Sequence, residues 1–354
     1  MVNPFLIDEG ITLLQAIEKI QTPANFLTSQ FFNETVMSPN NTVALETRKA
    51  GRLLAPAIVK NAKGVNVDRT TATAKWYSPF TFAPRRVIGL EDVSRRIFGE
   101  VPNLYGSLTP EQRAARMQAE DLADLLKLHE NRREQMAAEL LQTGKLSMKA
   151  YADDGELAQL DTIEYGVPGI KKLTGTKIWS NAAADIYGDL LSASEQIQKD
   201  TGVIPTIAIC GKNIERYLIK NTEILNWLMI PNRQNLAMAS LEPRFTSPET
   251  RFIGRIGALN LDLYSYAKTY LDENLQAVPF IGDNTIIIAA PNIGSTVYCP
   301  VTIFSKEQSF QTVLSQYVPK YTINEESETL SLTIYSKCLI VPRDVESWIT
   351  LTVA

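Results

Sequence analysis

Residues 109–145 read TPEQRAARMQAEDLADLLKLHENRREQMAAELLQTGK, and this stretch predicts one unusually long α-helix. Thr109 suits the N-cap, Pro110 suits the first helical position, and Gln112 completes a capping box. Gly144 is a helix-terminating residue at the other end. About 34 residues at ~1.5 Å each give a rod of roughly 50 Å, several times longer than an average globular helix.

Apolar residues recur along this segment at helical spacing, and charged residues fill the remaining surface. The apolar set is Ala114, Met117, Leu122, Leu125, Leu126, His129, Met136, Leu140 and Leu141, and the charged set is Arg113, Glu120, Asp121, Glu130, Arg132 and Arg133. The stripe lacks strict heptads and the chain has no second helix of similar length, which argues against a coiled coil. We therefore expect the helix to lie along a sheet.

The composition indicates a folded protein that stays where it is made. The chain has 354 residues, of which 45% are hydrophobic, so it suits two domains or one elongated subunit and excludes wholesale disorder. No run approaches the ~18 apolar residues of a membrane helix, and the opening MVNPFLIDEG lacks the features of a signal peptide. We expect a cytoplasmic protein with no membrane partner.

Charge is distributed unevenly along the chain. The net charge of −4, from 35 basic and 39 acidic residues, is not that of a dedicated nucleic-acid binder. Residues 1–150 hold 19 Lys/Arg against 16 Asp/Glu, a sum of +3, whereas residues 151–354 hold 16 against 23, a sum of −7. Anionic partners are therefore expected to meet the first part. Its basic residues include Arg48, Lys49, Arg52, Arg85, Arg86, Arg95 and Arg96. A solvated face is the alternative to contact with an anionic partner.

The sequence offers one weak candidate for catalysis, the predicted strand-to-helix turn IAICGKN at residues 207–213. A cysteine such as Cys210 at a strand end before a helix can be activated as a nucleophile. Nucleotide-binding and hydrolase fingerprints are absent, however, and the single histidine, His129, excludes His-rich metal sites. We predict no enzymatic activity, no metal and no cofactor. The alternative is an α/β enzyme that uses the Cys210 turn.

Other reactive or acidic residues predict structure rather than chemistry. The three cysteines lie far apart without a CxxC pair, so buried thiols in a reducing compartment are expected. Asp153-Asp154-Gly155 is typical of a turn between two strands. Glu325, Glu326 and Glu328 form a predicted acidic turn before the final strands, which we expect to be solvated.

Two segments contain residues that need an outside surface. Residues 1–41 include Phe26, Leu27, Phe31 and Phe32, and we interpret them as an arm that reaches a neighbouring molecule, with a small helix on its own domain as the alternative. Residues 42–86 alternate on both sides of the tip KNAKGVN and predict a long hairpin exposed on both faces. Such a hairpin is marginally stable without a partner. A hairpin folded on its own sheet is the alternative.

The remainder predicts a mixed domain and a structured C-terminal segment. Between Ser180 and Pro300 the pattern alternates between helix and strand, in SNAAADIYGDLLSASEQIQKDTG, VIPTIAIC, GKNIERYLIKN, LNLDLYSYA and TIIIAAP. The last residues include Trp348, Ile349, Leu351 and Val353, which predict a strand that closes a sheet begun much earlier. The fold class is therefore mixed α and β.

This order of arm, hairpin, long helix, mixed domain and returning strand resembles a tailed-bacteriophage major capsid protein, and more narrowly the lambda-like major capsid protein E family. The segments that carry the resemblance are LLAPAIVKNAKGV (53–65), FIGDNTIIIA (280–289) and LIVPRDVESWITLTVA (339–354). The resemblance implies an α+β fold of the HK97 type. Its implied parts are an N-terminal arm (1–41), an extended hairpin or E-loop (42–86), a peripheral domain (87–181) with a spine helix (109–143), an axial domain (182–320) and a C-terminal return to the peripheral domain (321–354).

The resemblance also implies a function. Copies of the chain would self-assemble as pentamers and hexamers into an icosahedral head shell around double-stranded DNA, in the cytoplasm of a bacterial host. Implied partners are a scaffolding protein, a maturation protease, a portal and a decoration protein, with non-specific contact to packaged DNA. The hairpin would lie over the spine helix and peripheral sheet of a neighbour. Candidate intersubunit residues are Phe26, Phe31, Phe32, Arg48, Arg52, Leu54, Ile58, Lys60, Lys63, Trp76, Arg85 and Arg86.

Overall fold

The computed structural model describes residues 25–48, 72–94, 109–151, 157–166, 169–181, 184–221, 224, 228–229, 243–245, 247–272, 274–304 and 309–354. The α-helices bounded within these ranges are α1 (Phe26–Phe31), α2 (Leu90–Ser94), α3 (Pro110–Thr143), α4 (Ile186–Thr201) and α5 (Ile214–Lys220). Short 3-10 turns occupy Gly175–Lys177 and Gly257–Leu259. Among the described residues, no helix is long and apolar enough to cross a membrane.

The strands form two large sheets and four two-stranded pairs. They are β1 (Glu34–Met37), β2 (Val43–Arg48), β3 (Ala72–Tyr77), β4 (Phe80–Phe82), β5 (Arg85–Ile88), β6 (Lys145–Tyr151), β7 (Leu157–Glu164), β8 (Gly169–Lys172), β9 (Ile207–Cys210), β10 (Leu228–Met229), β11 (Thr250–Ile256), β12 (Leu261–Tyr266), β13 (Thr269–Leu271), β14 (Ala277–Pro279), β15 (Thr285–Ala289), β16 (Gly294–Tyr298), β17 (Val301–Phe304), β18 (Phe310–Val313), β19 (Val318–Asn324), β20 (Thr329–Pro342) and β21 (Trp348–Thr352). The mixture confirms the predicted α+β class.

Helix α3 confirms the long helix predicted from the capping signals. The Thr109 side chain accepts a hydrogen bond from the Gln112 backbone N–H at 3.3 Å, and the Gln112 side chain accepts one from the Thr109 backbone N–H at 3.1 Å. Gly144 ends the helix with φ 69°, a left-handed conformation that a residue without Cβ adopts at little cost. The 34 helical residues span about 51 Å at ~1.5 Å each.

The six-stranded sheet is organised by β20, its 14-residue central strand. On one edge β20 pairs with β19 and β16, and β1 extends the sheet beyond β16 in a parallel pair. On its other edge β4 and β5 follow β20 antiparallel, from Cys338↔Phe80 to Leu330↔Ile88. The pairing of β2 with β3 ends at Tyr77, so residues 80–86, expected in the extended hairpin, lie on the sheet of their own subunit.

Helix α3 lies along a sheet, as its apolar stripe predicts. In its first half, Leu122, Leu125 and Leu126 pack with Leu332 and Ile334 of β20. Its second half contributes a larger apolar set to the main core, where residues of both large sheets meet. That set is Met136, Ala137, Ala138, Leu140 and Leu141, all at most 2% exposed. The helix therefore joins the two sheets into one core.

The seven-stranded sheet has the order β10-β11-β12-β9-β15-β21-β8, and its central strands β12, β9 and β15 are buried on both faces. Side chains of β15 show this by alternation, because Ile287 packs in the main core while Ile286 and Ile288 pack with residues of α4 and α5. The α4, β9, α5, β12 and β15 elements correspond to the predicted alternation of helix and strand. Their order confirms the mixed character of this part of the chain.

The last strand, β21, is built into this sheet between β15 and β8. The Trp348 Nε1–H and the Thr350 hydroxyl both donate to the carbonyl oxygen of Leu141, at 3.1 and 2.6 Å. These bonds tie the strand to the end of α3. The prediction of a C-terminal strand that closes a sheet is therefore confirmed.

The paired strands of both predicted hairpins are present, whereas their tips lie outside the described residues. Strands β2 and β3 pair antiparallel from Val43↔Tyr77 to Arg48↔Ala72, and residues 49–71, which include the predicted tip, lie outside the described residues. Strands β6 and β7 pair antiparallel around the Asp153-Asp154-Gly155 segment, which also lies outside them. The domain boundaries stay predictions.

Candidate subunit interfaces

The Cys210 turn does not have the geometry of a nucleophile site. Cys210 ends β9 with no exposed surface, and burial raises the pKa of its thiol well above its ordinary value. The Gly211 N–H donates to the Thr285 carbonyl at 2.9 Å, and a Cβ at Gly211 would lie 2.1 Å from the Gly282 carbonyl oxygen. The turn is packed against the neighbouring backbone, so the thiol is neither ionised nor accessible.

A cleft of about 360 Å³ opens beside this turn but does not include the thiol. It is lined by Lys212, Glu215, Pro248, Glu249, Thr250, Arg251, Ser265 and Ala267. Two ion pairs, Arg251 with Glu215 and Lys268 with Glu249, neutralise both carboxylates that line it. The cleft therefore gives a substrate no access to the Cys210 thiol on which the enzyme alternative depends.

The other residues considered for chemistry are structural as well. Cys299 and Cys338 are buried and free, as predicted. The His129 side chain is 6% exposed, and its Nε2–H donates to the Ile334 carbonyl at 3.0 Å. Burial lowers the pKa of His129 to about 4, so the ring is neutral at neutral pH. Within the described part of the chain, no group of three or more His, Cys, Asp or Glu side chains could hold a metal ion.

The three phenylalanines proposed for intersubunit contact lie in the core of their own subunit, which corrects that expectation. Phe26, Phe31 and Phe32 are 1%, 0% and 2% exposed. Helix α1 packs against α3, and Phe26 lies 5.6 Å from the Tyr264 ring, centroid to centroid. The apolar surface that this segment needs is therefore supplied by its own chain. The alternative interpretation, a small helix on its own domain, describes residues 26–32 correctly.

Glu134 holds this small helix in place and was not identified from the sequence. It is fully buried and accepts hydrogen bonds from the backbone N–H groups of Leu27 and Thr28, the Thr28 hydroxyl and the Tyr266 hydroxyl, at 2.8 to 3.0 Å. The carboxyl group thereby caps the N-terminus of α1. Burial raises its pKa, and the four hydrogen bonds oppose that rise.

Glu130, predicted on the wet face of the helix, is instead 6% exposed, which corrects that expectation. It accepts a hydrogen bond from the Tyr317 hydroxyl and pairs with Arg133, which also donates to the Tyr298 hydroxyl at 2.7 Å. The spacing carried a usable signal, because residues 126, 130, 134, 137 and 141 form one continuous stripe at i+4 and i+3 steps. Glu130 and Glu134 lie on the same buried face of the helix as the apolar residues of that stripe, although their own side chains are acidic.

Trp76 is the clearest exposed candidate. It lies on β3 opposite Ala44 of β2 and is 64% exposed. The adjacent Tyr77 points the other way, where its hydroxyl donates to the Glu164 carbonyl at 3.0 Å and its ring lies 6.1 Å from that of Tyr165. The base of the hairpin is therefore anchored through one face and presents an indole on the other.

The two candidate arginines at the start of β5 have different environments. Arg86 forms ion pairs with Asp121 and Asp124 of α3, at 3.1 and 3.0 Å, so its charge is used within the subunit. Arg85 is exposed and has no acidic partner among the described residues. The Arg48 side chain and the remaining candidates, Arg52, Leu54, Ile58, Lys60 and Lys63, lie outside the residues whose side chains are described.

A second exposed aromatic site was missed in the sequence. Strands β17 and β18 form a two-stranded ribbon on which Phe304 and Phe310 are cross-strand partners, with ring centroids 5.2 Å apart. The two rings are 46% and 80% exposed. The strands VTIF and FQTV contain no charged residue, and this apolar pairing is the signal that could have marked them. Exposed aromatic side chains of this kind mark contact surfaces.

Comparison with known proteins places the chain in one family. A family model described as phage major capsid protein E matches residues 11–353. In structure, the chain is similar to a capsid protein of a prophage of E. coli CFT073, with a TM-score of 0.70, 16% identity, and 98% and 99% of the two chains covered. It is also similar to a phage-related protein from Bordetella bronchiseptica RB50, with a TM-score of 0.54, 11% identity, and 96% and 95% covered. A search of curated proteins finds no match. The architecture is the HK97-type capsid fold.

Proposed function

Because this chain belongs to the phage major capsid protein E family and is a phage major capsid protein, we propose that its copies assemble as pentamers and hexamers into an icosahedral shell. The shell encloses double-stranded DNA and forms in the cytoplasm of a bacterial host. The chain acts as a structural protein and turns over no substrate. A scaffolding protein, a maturation protease, a portal and a decoration protein are its further partners.

This mode of assembly is supported by aromatic side chains that remain exposed on the surface of the single subunit. Trp76 on the hairpin and the Phe304–Phe310 pair on the β17–β18 ribbon are exposed on two-stranded elements. Pairs of strands gain little stability in isolation. A neighbouring copy that covers them removes apolar area from water, at about 25 cal/mol per Å². The hairpin, with Arg48, Arg52, Lys60 and Lys63, reaches a neighbouring subunit.

Contact with packaged DNA is non-specific in this proposal. The net charge of −4 disfavours tight binding of phosphate, which would release counterions at many sites and hold the DNA as it enters. The inaccessible Cys210 thiol supports the absence of enzymatic activity.

Electron microscopy of the purified protein tests the proposal. The full chain is expressed alone and with its scaffolding protein, sized by gel filtration and stained. We expect closed shells, tubes or capsomer rings, and we expect Cys210→Ala to assemble as the wild type does. A monodisperse small species under both conditions would overturn the proposal and would return attention to the enzyme alternative.

A further inference from the structure

On the side away from α3, the sheet formed by β5, β20 and β19 exposes Arg85, Val87 and Thr322 of its two flanking strands, whereas Ser331 and Thr333 of the middle strand are buried between them. Leu332 and Ile334 of β20 pack against leucines of α3, so strand alternation places Ser331 and Thr333 on the opposite face. The register sets out two rows across this face, which are Arg85, Thr333 and Lys320 in one row and Val87, Ser331 and Thr322 in the next. We call these six residues the outer face.

The outer face carries positive charge that no described residue of the subunit neutralises. Arg85 and Lys320 lie in one row with a strand between them, about 10 Å apart from two interstrand spacings of ~4.8 Å. Neither has an acidic partner in the described part of the chain, in contrast to Arg86, which pairs with Asp121 and Asp124 on the other face. Val87 is 50% exposed beside them. The surface therefore combines two separated cations with an exposed apolar side chain.

The chain also carries the complementary surface. The turn that joins β19 to β20 exposes Glu325, Glu326 and Glu328, and none of them forms an ion pair with a described residue. The Asn324 side chain accepts hydrogen bonds from the backbone N–H groups of Glu326 and Ser327, at 3.0 and 3.4 Å, which fixes the turn. Ile323 is 58% exposed next to it. This acidic turn thus matches the outer face in both its charge and its apolar component.

The match cannot be made within one subunit. The acidic turn is the end of the hairpin whose strands form part of the outer face, and a paired hairpin does not fold back onto its own sheet. The extended hairpin of another copy suits the outer face less well, because its tip carries Lys60 and Lys63. Duplex DNA would satisfy the two cations but would leave Val87 against a charged backbone. The acidic turn of a second copy satisfies both features.

We propose that the outer face of one subunit binds the acidic turn of the next, in a head-to-tail contact between copies. This inference rests on the proposed function and specifies one of its contacts. Opposite charges fix the register, and Ile323 beside Val87 supplies apolar burial. Because the two partner surfaces differ, the contact is heterologous and can repeat around a ring.

Charge reversal and charge exchange test the contact in the full chain. Glu325→Lys with Glu328→Lys, and separately Arg85→Glu with Lys320→Glu, should each raise the protein concentration needed for shell assembly at least tenfold. The four substitutions together should return the protein concentration needed for assembly to near the wild-type value. Matched controls are Glu195→Lys with Asp200→Lys and Lys172→Glu with Lys177→Glu, which make equal charge changes at exposed positions. Circular dichroism and thermal midpoints verify that each variant is folded.

Each outcome decides between alternatives. Restoration by the fourfold exchange supports the contact. Reversed variants that assemble like the wild type, or a fourfold exchange that restores nothing, overturn it while leaving the proposed function intact. Normal assembly of Arg85→Glu with Lys320→Glu, accompanied by loss of salt-dependent DNA binding, overturns it in favour of DNA. Failure of the wild type itself to assemble with its scaffold overturns the proposed function instead.

Discussion

The Glu134 side chain joins three elements of the fold, although it was not identified from the sequence. Its carboxyl group joins α1, α3 and β12 through four hydrogen bonds in a site with no exposed surface. Glu134→Ala leaves these donors buried without an acceptor and should lower the free energy of unfolding by about 3–5 kcal/mol. Glu134→Gln keeps one acceptor oxygen and should cost less.

Urea denaturation followed by tryptophan fluorescence measures this change. Glu120→Ala, which removes an exposed carboxylate paired with Arg116 on the same helix, is the control and should cost less than about 1 kcal/mol. Equal destabilisation by Glu120→Ala and Glu134→Ala would contradict a capping role for Glu134.

His129 should make stability depend on pH. Its pKa is about 4 in the folded chain against an ordinary value of 6.5, so the unfolded chain takes up a proton first as the pH falls. The stabilising contribution is fully present above pH 6.5 and is lost as the pH falls towards 4. Between pH 7 and pH 5 the loss from this group should be about 2 kcal/mol.

Comparison with His129→Gln isolates this contribution, because glutamine can donate to the Ile334 carbonyl but does not titrate. The free energy of unfolding of both proteins is measured at pH 7 and pH 5. We expect the wild type to lose about 2 kcal/mol more than the variant over this interval. Parallel losses in the two proteins would show that other groups govern the acid sensitivity.

At the scale of elements, the end of the extended hairpin can be deleted while its paired strands β2 and β3 are retained. Arg48 and Ala72 are paired, so residues 49–54 and Thr71 still bridge the strands when residues 55–70 are deleted. We expect a folded subunit that cannot close shells. Circular dichroism checks the fold and electron microscopy checks assembly. Intact shells formed by the deletion variant would show that the hairpin is dispensable.

Elements defined by local signals were predictable, and long-range pairing was not. The caps at Thr109 and Gly144 are set by residues within one turn of the helix, so both ends of α3 follow from the sequence. The pairing of β4 and β5 with β20 joins residues about 250 positions apart. No local pattern encodes such a partner, and residues 80–86 were therefore assigned to the hairpin.

At the scale of the whole molecule, the same distinction governs the candidate interfaces. The sequence correctly identifies α1 as apolar, but only the packed structure shows that α3 and β12 cover Phe26, Phe31 and Phe32. It identifies Trp76 and Arg85 by residue type alone, and it leaves the acidic turn as a solvated loop. That Arg86 is neutralised and Arg85 is not follows from alternation along β5, which becomes informative only once its partner strand is known.

The position of β21 sets an order in which the subunit can be completed. Among the strands that the structure describes, β8 pairs only with β21, which lies about 180 residues further along the chain. At ~5–20 residues per second, a ribosome needs roughly 10–40 s to make the intervening polypeptide. Throughout that interval β8 has no strand to pair with, and α3 lacks the two hydrogen bonds that cover the Leu141 carbonyl. A nascent chain is therefore unable to form the finished subunit before its final strand has been synthesised, which separates translation in time from the building of higher-order structure.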